Sequence, residues 1–135
     1  MVYEDDFPSS IALLAHFKKL TNHVLAEVAE HCDDLTINQI QLITILGAPM
    51  TMKSISEALS IKPSNLTPLV QSCVANNWLE KKKLEADQRV ISAVLTPEGR
   101  ELRHQLISRF AETFRTISGL SENQATHILK LATNP

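Results

Sequence analysis

Two short apolar stripes on either side of a brief interruption constrain this chain more than any other feature. Met52, Ile55, Ala58 and Leu59 recur at helical spacing, Ser60-Ile61-Lys62-Pro63-Ser64 breaks the pattern, and Leu66, Leu69, Val70, Cys73 and Val74 resume it. Isolated helices this short are marginal in water, so both must bury their stripes against one another and against neighbours. Thr51 or Met52 opens the first, and Asn77, a residue that tolerates a left-handed backbone, ends the second. Short helix, tight turn, second helix is the helix-turn-helix pattern.

The flanking sequence supplies the neighbours. Ile11, Leu14, Phe17, Leu20, Val24 and Val28 advance by threes and fours, predicting a long amphipathic helix with Ser9 or Ser10 as its cap. Thr36-Ile37-Asn38-Gln39 is a capping box, opening a helix that runs to about Leu46 before Gly47-Ala48-Pro49. From Trp78 the period changes. Two runs of equal length, Trp78–Leu84 and Arg89–Leu95, flank the polar Glu85-Ala86-Asp87-Gln88 and predict a β-hairpin. Thr96 then caps a helix with Pro97 at its first position and Leu102, Leu106, Phe110, Phe114 and Ile117 on one face. After Gly119, Ser121-Glu122-Asn123-Gln124 is a second capping box, opening a last helix that carries Ile128, Leu129 and Leu131.

Several classes drop out on composition. A chain of 135 residues fits one folded unit. Its apolar runs fall far short of the roughly 20 residues that span a bilayer. The acidic start, Met1 to Pro8, lacks the basic and apolar regions of a signal peptide, so a cytoplasmic protein is expected. Cys32 and Cys73 do not make a disulfide framework. Cys73 falls on an apolar helix face and reads as inert core, while Cys32 stands beside Asp33 and Asp34, whose charges work against a thiolate. His16, His23 and His31 recur near heptad spacing but lack the companions of a converging zinc set, so no metal is expected. With three glycines and no catalytic signature, phosphate-cradling loops are nearly excluded and no enzyme is expected.

The order of elements, and the stretch from Leu35 to Gly99, resemble the MarR (multiple antibiotic resistance regulator) family. Three motifs carry the likeness: Leu35-Thr36-Ile37-Asn38-Gln39 as the L-T-x-x-Q entry to the second helix, Asp87-Gln88-Arg89 as the D-x-R of the wing, and Leu95-Thr96-Pro97-Glu98-Gly99 as the L-T-x-x-G that closes the second strand. Asn77-Trp78-Leu79 stands where the family usually has a glycine and a hydrophobic pair. The resemblance implies a mainly α fold with a small β-hairpin wing, a winged helix-turn-helix over residues 36–96, and dimerisation helices over 10–32 and 97–133, all in one domain. It also implies a homodimeric transcription regulator, usually a repressor, on a pseudo-palindromic DNA site. Many members release DNA when a small, often aromatic anionic effector binds.

On a helical wheel, the face opposite Leu66, Leu69, Val70 and Cys73 presents Ser64, Pro68, Gln71 and Ala75, with Thr67 and Ser72 flanking. Gln71 can read an adenine edge, Ser64, Asn65 and Thr67 can bond to bases or phosphates, and Pro68 or Ala75 can meet a thymine methyl. A solvated helix surface suits the same residues. Pro68 departs from the family, where a larger polar or basic residue is common. Inside a helix it costs ~3 kcal/mol or more, so a helix starting near Ser64, or a shortened or kinked one, is expected. Positive charge lies around this helix, at Lys53, Lys62, Lys81, Lys82, Lys83 and Arg89, and phosphate neutralisation by such a cluster drives non-specific affinity. Lysines on a strand also protect a hairpin edge from pairing with other chains. By resemblance Arg89 reaches into the minor groove while Asp87 steadies the wing, against the plainer reading of a turn salt bridge worth ~0–1 kcal/mol.

The candidate DNA contacts are therefore Lys53, Lys62, Ser64, Asn65, Thr67, Pro68, Gln71, Lys82, Lys83 and Arg89, with Asp87 in support. Ile11, Leu14, Phe17, Leu106, Phe110, Phe114 and Ile128 are the expected dimer interface. A net charge of -2 and an uncharged recognition face keep open a winged helix that binds protein instead of DNA.

Overall fold

The computed structural model describes residues 8–133. Its elements run α1 (Ser9–Glu30), α2 (Ile37–Ile45), β1 (Met50–Thr51), α3 (Met52–Leu59), α4 (Pro63–Ala75), β2 (Leu79–Lys83), β3 (Ile91–Leu95), α5 (Pro97–Ser118) and α6 (Glu122–Thr133). The chain divides into two compact units. Cys32–Ser108 makes one, and the described residues up to His31 together with those from Arg109 make the other, so the division falls inside α5.

Within Cys32–Ser108, α2 begins as its local sequence dictates. The Thr36 hydroxyl accepts the Gln39 backbone N–H at 3.1 Å, and the Gln39 side-chain oxygen accepts the Thr36 N–H at 3.0 Å. The other end of the same buried amide donates to the Ser72 hydroxyl at 3.2 Å, so one side chain both caps α2 and ties it to α4. Between these helices and the sheet lie Ile40, Leu42, Ile43, Ile55, Leu66, Val70, Cys73, Leu79 and Ala93, all closed to solvent. Each large aliphatic among them contributes ~1.5–3 kcal/mol relative to exposure.

The turn between α3 and α4 is held from both sides. Ser60 adopts a left-handed backbone (φ 53), the Ile61 N–H donates back to the Ser56 carbonyl, and the Ser56 hydroxyl donates to the Ile61 carbonyl. Pro63 then takes the first position of α4, where its missing N–H costs nothing. Because α4 starts at Pro63, Pro68 is its sixth residue and lies inside the helix. Of the alternatives that Pro68 left open, the start near Ser64 agrees with the helix observed, and α4 is not shortened, since it continues to Ala75. At its far end Asn77 is left-handed (φ 62), its N–H donates to Val74 and the Trp78 N–H donates to Cys73. This is a Schellman motif, the role foreseen for Asn77.

The three strands lie in the order β1-β3-β2, so β3 is central and β2 is an edge. β2 and β3 pair antiparallel, with Leu79 opposite Leu95, Lys81 opposite Ala93, Lys82 opposite Ser92 and Lys83 opposite Ile91. The hairpin is shorter than expected, because Leu84 to Val90 form the connection, closed by a Leu84 N–H to Val90 carbonyl bond. Two residues of β1, paired to Ala93 and Ser92, complete the sheet. Strand β1 has no sequence signal because two residues carry no period, and Thr51 serves at once as its end and as the cap of α3.

Thr96 and Gly99 join the hairpin to α5. The Thr96 N–H donates to the Trp78 carbonyl, its hydroxyl donates to the Asn77 carbonyl at 2.6 Å, and the same hydroxyl accepts the Gly99 N–H at 3.0 Å. A Cβ on Gly99 would lie 2.0 Å from the Trp78 carbonyl oxygen. The closing L-T-x-x-G motif is thus a weld between the start of β2 and the start of α5.

In the other unit, α1 is entered through Pro8, whose carbonyl accepts the Ile11 and Ala12 N–H groups. No side chain caps it, and Ser9 and Ser10 lie within the helix, which corrects their expected role. The capping box of α6 is present: the Ser121 hydroxyl accepts the Gln124 N–H and the Gln124 side chain accepts the Ser121 N–H. Val24 and Val28 of α1 are buried, while Ile11 (49%), Leu14 (68%) and Phe17 (39%) stay exposed.

Candidate nucleic-acid interface

All ten residues read from the sequence as DNA contacts are exposed. The question is which of them the fold brings together. Thr67 shares a hollow between α3 and α4 with Lys53, Ser56 and Glu57. Gln71 shares an open groove between α4 and β2 with Val74, Ala75, Glu80, Lys81 and Lys82. Thr67 and Gln71 are four residues apart, hence neighbours on one helix face. One surface therefore runs from Lys53 across α4 to Lys82. Lys62, Ser64 and Asn65 lie at the α4 N-terminus, where free backbone N–H groups favour anions such as phosphate. Lys81 belongs to the groove; the sequence places it in the basic cluster but not among the candidate contacts. Strand alternation puts it on the face of buried Leu79, and only the packing of α4 against β2 reveals that this face opens toward Gln71.

The charge on this surface is mixed. Lys53, Lys62, Lys81, Lys82, Lys83 and Arg89 are interleaved with Glu57, Glu80, Glu85 and Asp87. Among the described residues the ion pair present is Arg89–Asp87, so the five lysines keep their charge unpaired.

Arg89 and Asp87 lie in the 84–90 connection, at the far end of the hairpin. Asp87 accepts the Arg89 backbone N–H at 3.0 Å, the Nε–H at 3.1 Å and an Nη2–H at 3.3 Å. This geometry fixes the turn and aims a guanidinium whose side chain is 91% exposed. Its remaining donors point to solvent. The hydrogen bonds from the Arg89 side chain, then from its backbone, hold the Asp87 carboxyl below its ordinary value. A carboxylate lowered by folding contributes stability above its unfolded pKa and loses it as pH falls through the folded one. Asp87 stays partly open to solvent at the surface, so the effect is local. We expect its side-chain carbonyl NMR signal to titrate below the ~3.9 of a free aspartate, with the Arg89 Nε–H signal persisting at pH 5. Titration of Asp87 at or above the free value would count against the clamp.

Other polar groups on α4 are already committed. The Ser72 hydroxyl donates to the Leu69 carbonyl and receives Gln39, and the Thr67 hydroxyl donates to the Pro63 carbonyl at 3.2 Å. Cys73 is closed to solvent, and burial pushes its thiol up to about 11, with the neighbouring Ser72 hydroxyl a smaller opposing influence. It stays a protonated thiol at neutral pH, in keeping with a core role.

Of the seven expected interface residues, Leu106 is corrected. It is 1% exposed within the single chain and has no surface to offer a partner. Phe110, Phe114 and Ile128 are half-buried. A separate cleft of about 300 Å³ within Cys32–Ser108 is lined by Leu46, Pro49, Val94, Arg100, Arg103 and His104, among others. Arg103 donates its Nε–H to the Thr44 carbonyl at 2.9 Å and Arg100 donates to the Leu95 carbonyl at 3.2 Å, so both guanidiniums are held while keeping further donors. Arg103 did not stand out in the sequence, because a carbonyl fifty-nine positions away leaves no local trace. No described helix is long and apolar enough to cross a membrane.

No family model matches the chain. It is 33% identical over 88 residues to the HTH-type transcriptional regulator PecS of Dickeya dadantii, an alignment covering 63% of this chain and 53% of that one. The chain thus spans about half the length of this curated relative. Two solved structures resemble it over nearly its whole length. The apo form of MarR from E. coli superposes with a TM-score of 0.74 at 18% identity, covering 96% of each chain. BpsR of Bordetella bronchiseptica, whose DNA binding is regulated by 6-hydroxynicotinic acid, gives 0.67 at 18% identity, covering 98% of this chain and 95% of that one. The likeness carries the fold: this chain is a mainly helical winged helix-turn-helix of the MarR type.

Proposed function

We propose that this chain is a MarR-family regulator that binds double-stranded DNA as a homodimer and represses transcription from a pseudo-palindromic site. The observation that carries this is the continuous surface from Lys53 through Thr67 and Gln71 to Lys82, flanked by the clamped Arg89. A helix with uncommitted polar ends meets base edges, lysines at its margins meet phosphates, and a wing-tip guanidinium suits the minor groove. Half-sites under two such helices lie about 34–36 Å apart. Exposed Ile11, Leu14 and Phe17 on one helix, with Phe110, Phe114 and Ile128, support the homodimer, since a lone soluble chain rarely leaves such a stripe in water.

Duplex binding over a salt series tests the reading. Affinity that falls steeply with added salt supports it, and affinity that is absent or indifferent to salt favours the protein-binding alternative that the net charge of -2 keeps in view.

The cleft at Arg100, Arg103 and His104 supports an effector component. Its lining sets Leu46, Val94 and Ile107 beside Arg100, Arg103 and His104 and includes no acid, and its arginines hold the end of β3 and the last turn of α2, so a small carboxylate bound there is coupled to the base of the wing. The regulation of BpsR by 6-hydroxynicotinic acid is consistent with this. Release of duplex by benzoate, lost in Arg100→Met, is the expected result; release unaltered by that change would rule the cleft out.

A further inference from the structure

The exposed face of α4 bears no charged side chain. Ser64, Asn65, Thr67, Pro68, Gln71 and Ala75 occupy it, and every lysine lies at its margins or beyond. That matters because guanine is most often specified by an arginine or lysine donating to O6 and N7. Here no such donor stands where base edges are met. Lys62 precedes the helix as its N-cap, where a cation faces phosphate more readily than the floor of the groove.

Ser64 and Asn65 stand in the first turn of α4, where the free N–H groups of the helix end favour phosphate, and farther along the helix the polar ends are not equivalent. Ser72 and Thr67 direct their hydroxyls to backbone carbonyls. Among the described residues the Gln71 amide makes no hydrogen bond and is exposed in the groove beside Lys82. A free carboxamide offers one acceptor and one donor side by side, which matches the N6 amino group and N7 of adenine. Three residues earlier on the same face stands Pro68. Its ring presents methylene groups and no N–H, so it can meet a thymine methyl but cannot hydrogen-bond to a base. The proline that costs α4 a backbone hydrogen bond thereby gives its face an apolar contact.

We infer that the segment of each half-site beneath α4 consists of A·T pairs, that Gln71 sets this preference by reading adenine, and that Pro68 packs on a neighbouring thymine methyl. This rests on the DNA-binding reading above and adds the class of sequence bound. The basic residues then supply affinity without base preference.

Selection of bound duplexes from a randomised library tests it, using the full chain, Gln71→Ala and Gln71→Arg. All three should fold alike because the side chain is exposed, and thermal unfolding checks that. The wild type is expected to enrich symmetric half-sites with an A·T block. Gln71→Ala should lose the preference at one position per half-site, and Gln71→Arg should convert that position to G·C, each change shifting discrimination by about tenfold. Selected sites with G·C beneath α4 in the wild type, or sites unchanged in both variants, overturn the inference while leaving DNA binding intact. Failure to enrich any duplex in a salt-sensitive way overturns the underlying reading, and this inference with it.

Discussion

Replacing Gly99 by alanine is expected to lower the stability of this chain by about 3 kcal/mol, as the upper range for overpacking a closed site suggests, and its Tm by roughly 10 °C. Helix propensity alone gives the opposite sign, since alanine inside a helix is favoured over glycine by about 1 kcal/mol. The difference lies in one contact. A Cβ at this position meets the Trp78 carbonyl oxygen at 2.0 Å and the carbon behind it at 3.0 Å, and both are backbone atoms that no rotamer change can move aside. That same carbonyl accepts the Thr96 N–H. Relieving the clash therefore pulls on the bond that seats α5 against the start of β2, and on the Thr96 hydroxyl that bridges Asn77 and Gly99. Gly119→Ala is a useful contrast. Its Cβ would meet nothing within 4 Å, but its left-handed backbone (φ +71) makes the substitution strained by about 1 kcal/mol. Thermal unfolding of the two variants separates a steric cause from a conformational one. A Gly99→Ala protein as stable as the wild type would show that the weld is not rigid.

What could be read without coordinates follows from how far apart the interacting groups lie in sequence. The Thr36 and Gln39 capping box is complete within four residues, so its presence was legible and is observed in both directions. The Gln39 bond to Ser72 spans thirty-three positions and was not. Gly99 was visible as part of a motif, yet the reason for a glycine lies at Trp78, across the hairpin. Periodicity identified the α5 stripe correctly but cannot say which member meets its own chain: Leu106 proves to be buried, while Phe110 and Phe114 keep part of their surface. Capping rules favoured Ser9 or Ser10 over Pro8 because they weigh side-chain acceptors, whereas here the backbone of a proline opens the helix. For the candidate interface, residue types were legible and their grouping was not. Lysines on a strand next to a polar helix are compatible with many arrangements, and it is the register of β2 against β3 and the seat of α4 on β2 that put Gln71 and Lys82 in one groove.

Changing Lys82 and Arg89 together to alanine is expected to lower duplex affinity at 0.1 M salt by about 4,000-fold for a dimer. Each neutralised phosphate contributes ~0.9 to the slope of log affinity against log salt, so removing two cations from each of two wings takes about 3.6 from the slope and a similar number of decades at this salt concentration. A chain binding through a single wing loses half of that, so the change in slope also reports how many subunits engage the duplex. Both side chains are exposed, and the Arg89–Asp87 pair is a surface ion pair worth ~0–1 kcal/mol, so lost binding cannot be ascribed to lost folding. The competing explanation for these lysines is real, because β2 is an unpaired sheet edge and positive charge guards such edges against other chains. The two roles separate in one experiment. If Lys82 serves only as a guard, the double variant keeps its affinity and its salt slope and gains a tendency to aggregate. If the wing neutralises phosphate, the slope flattens in protein that remains dispersed.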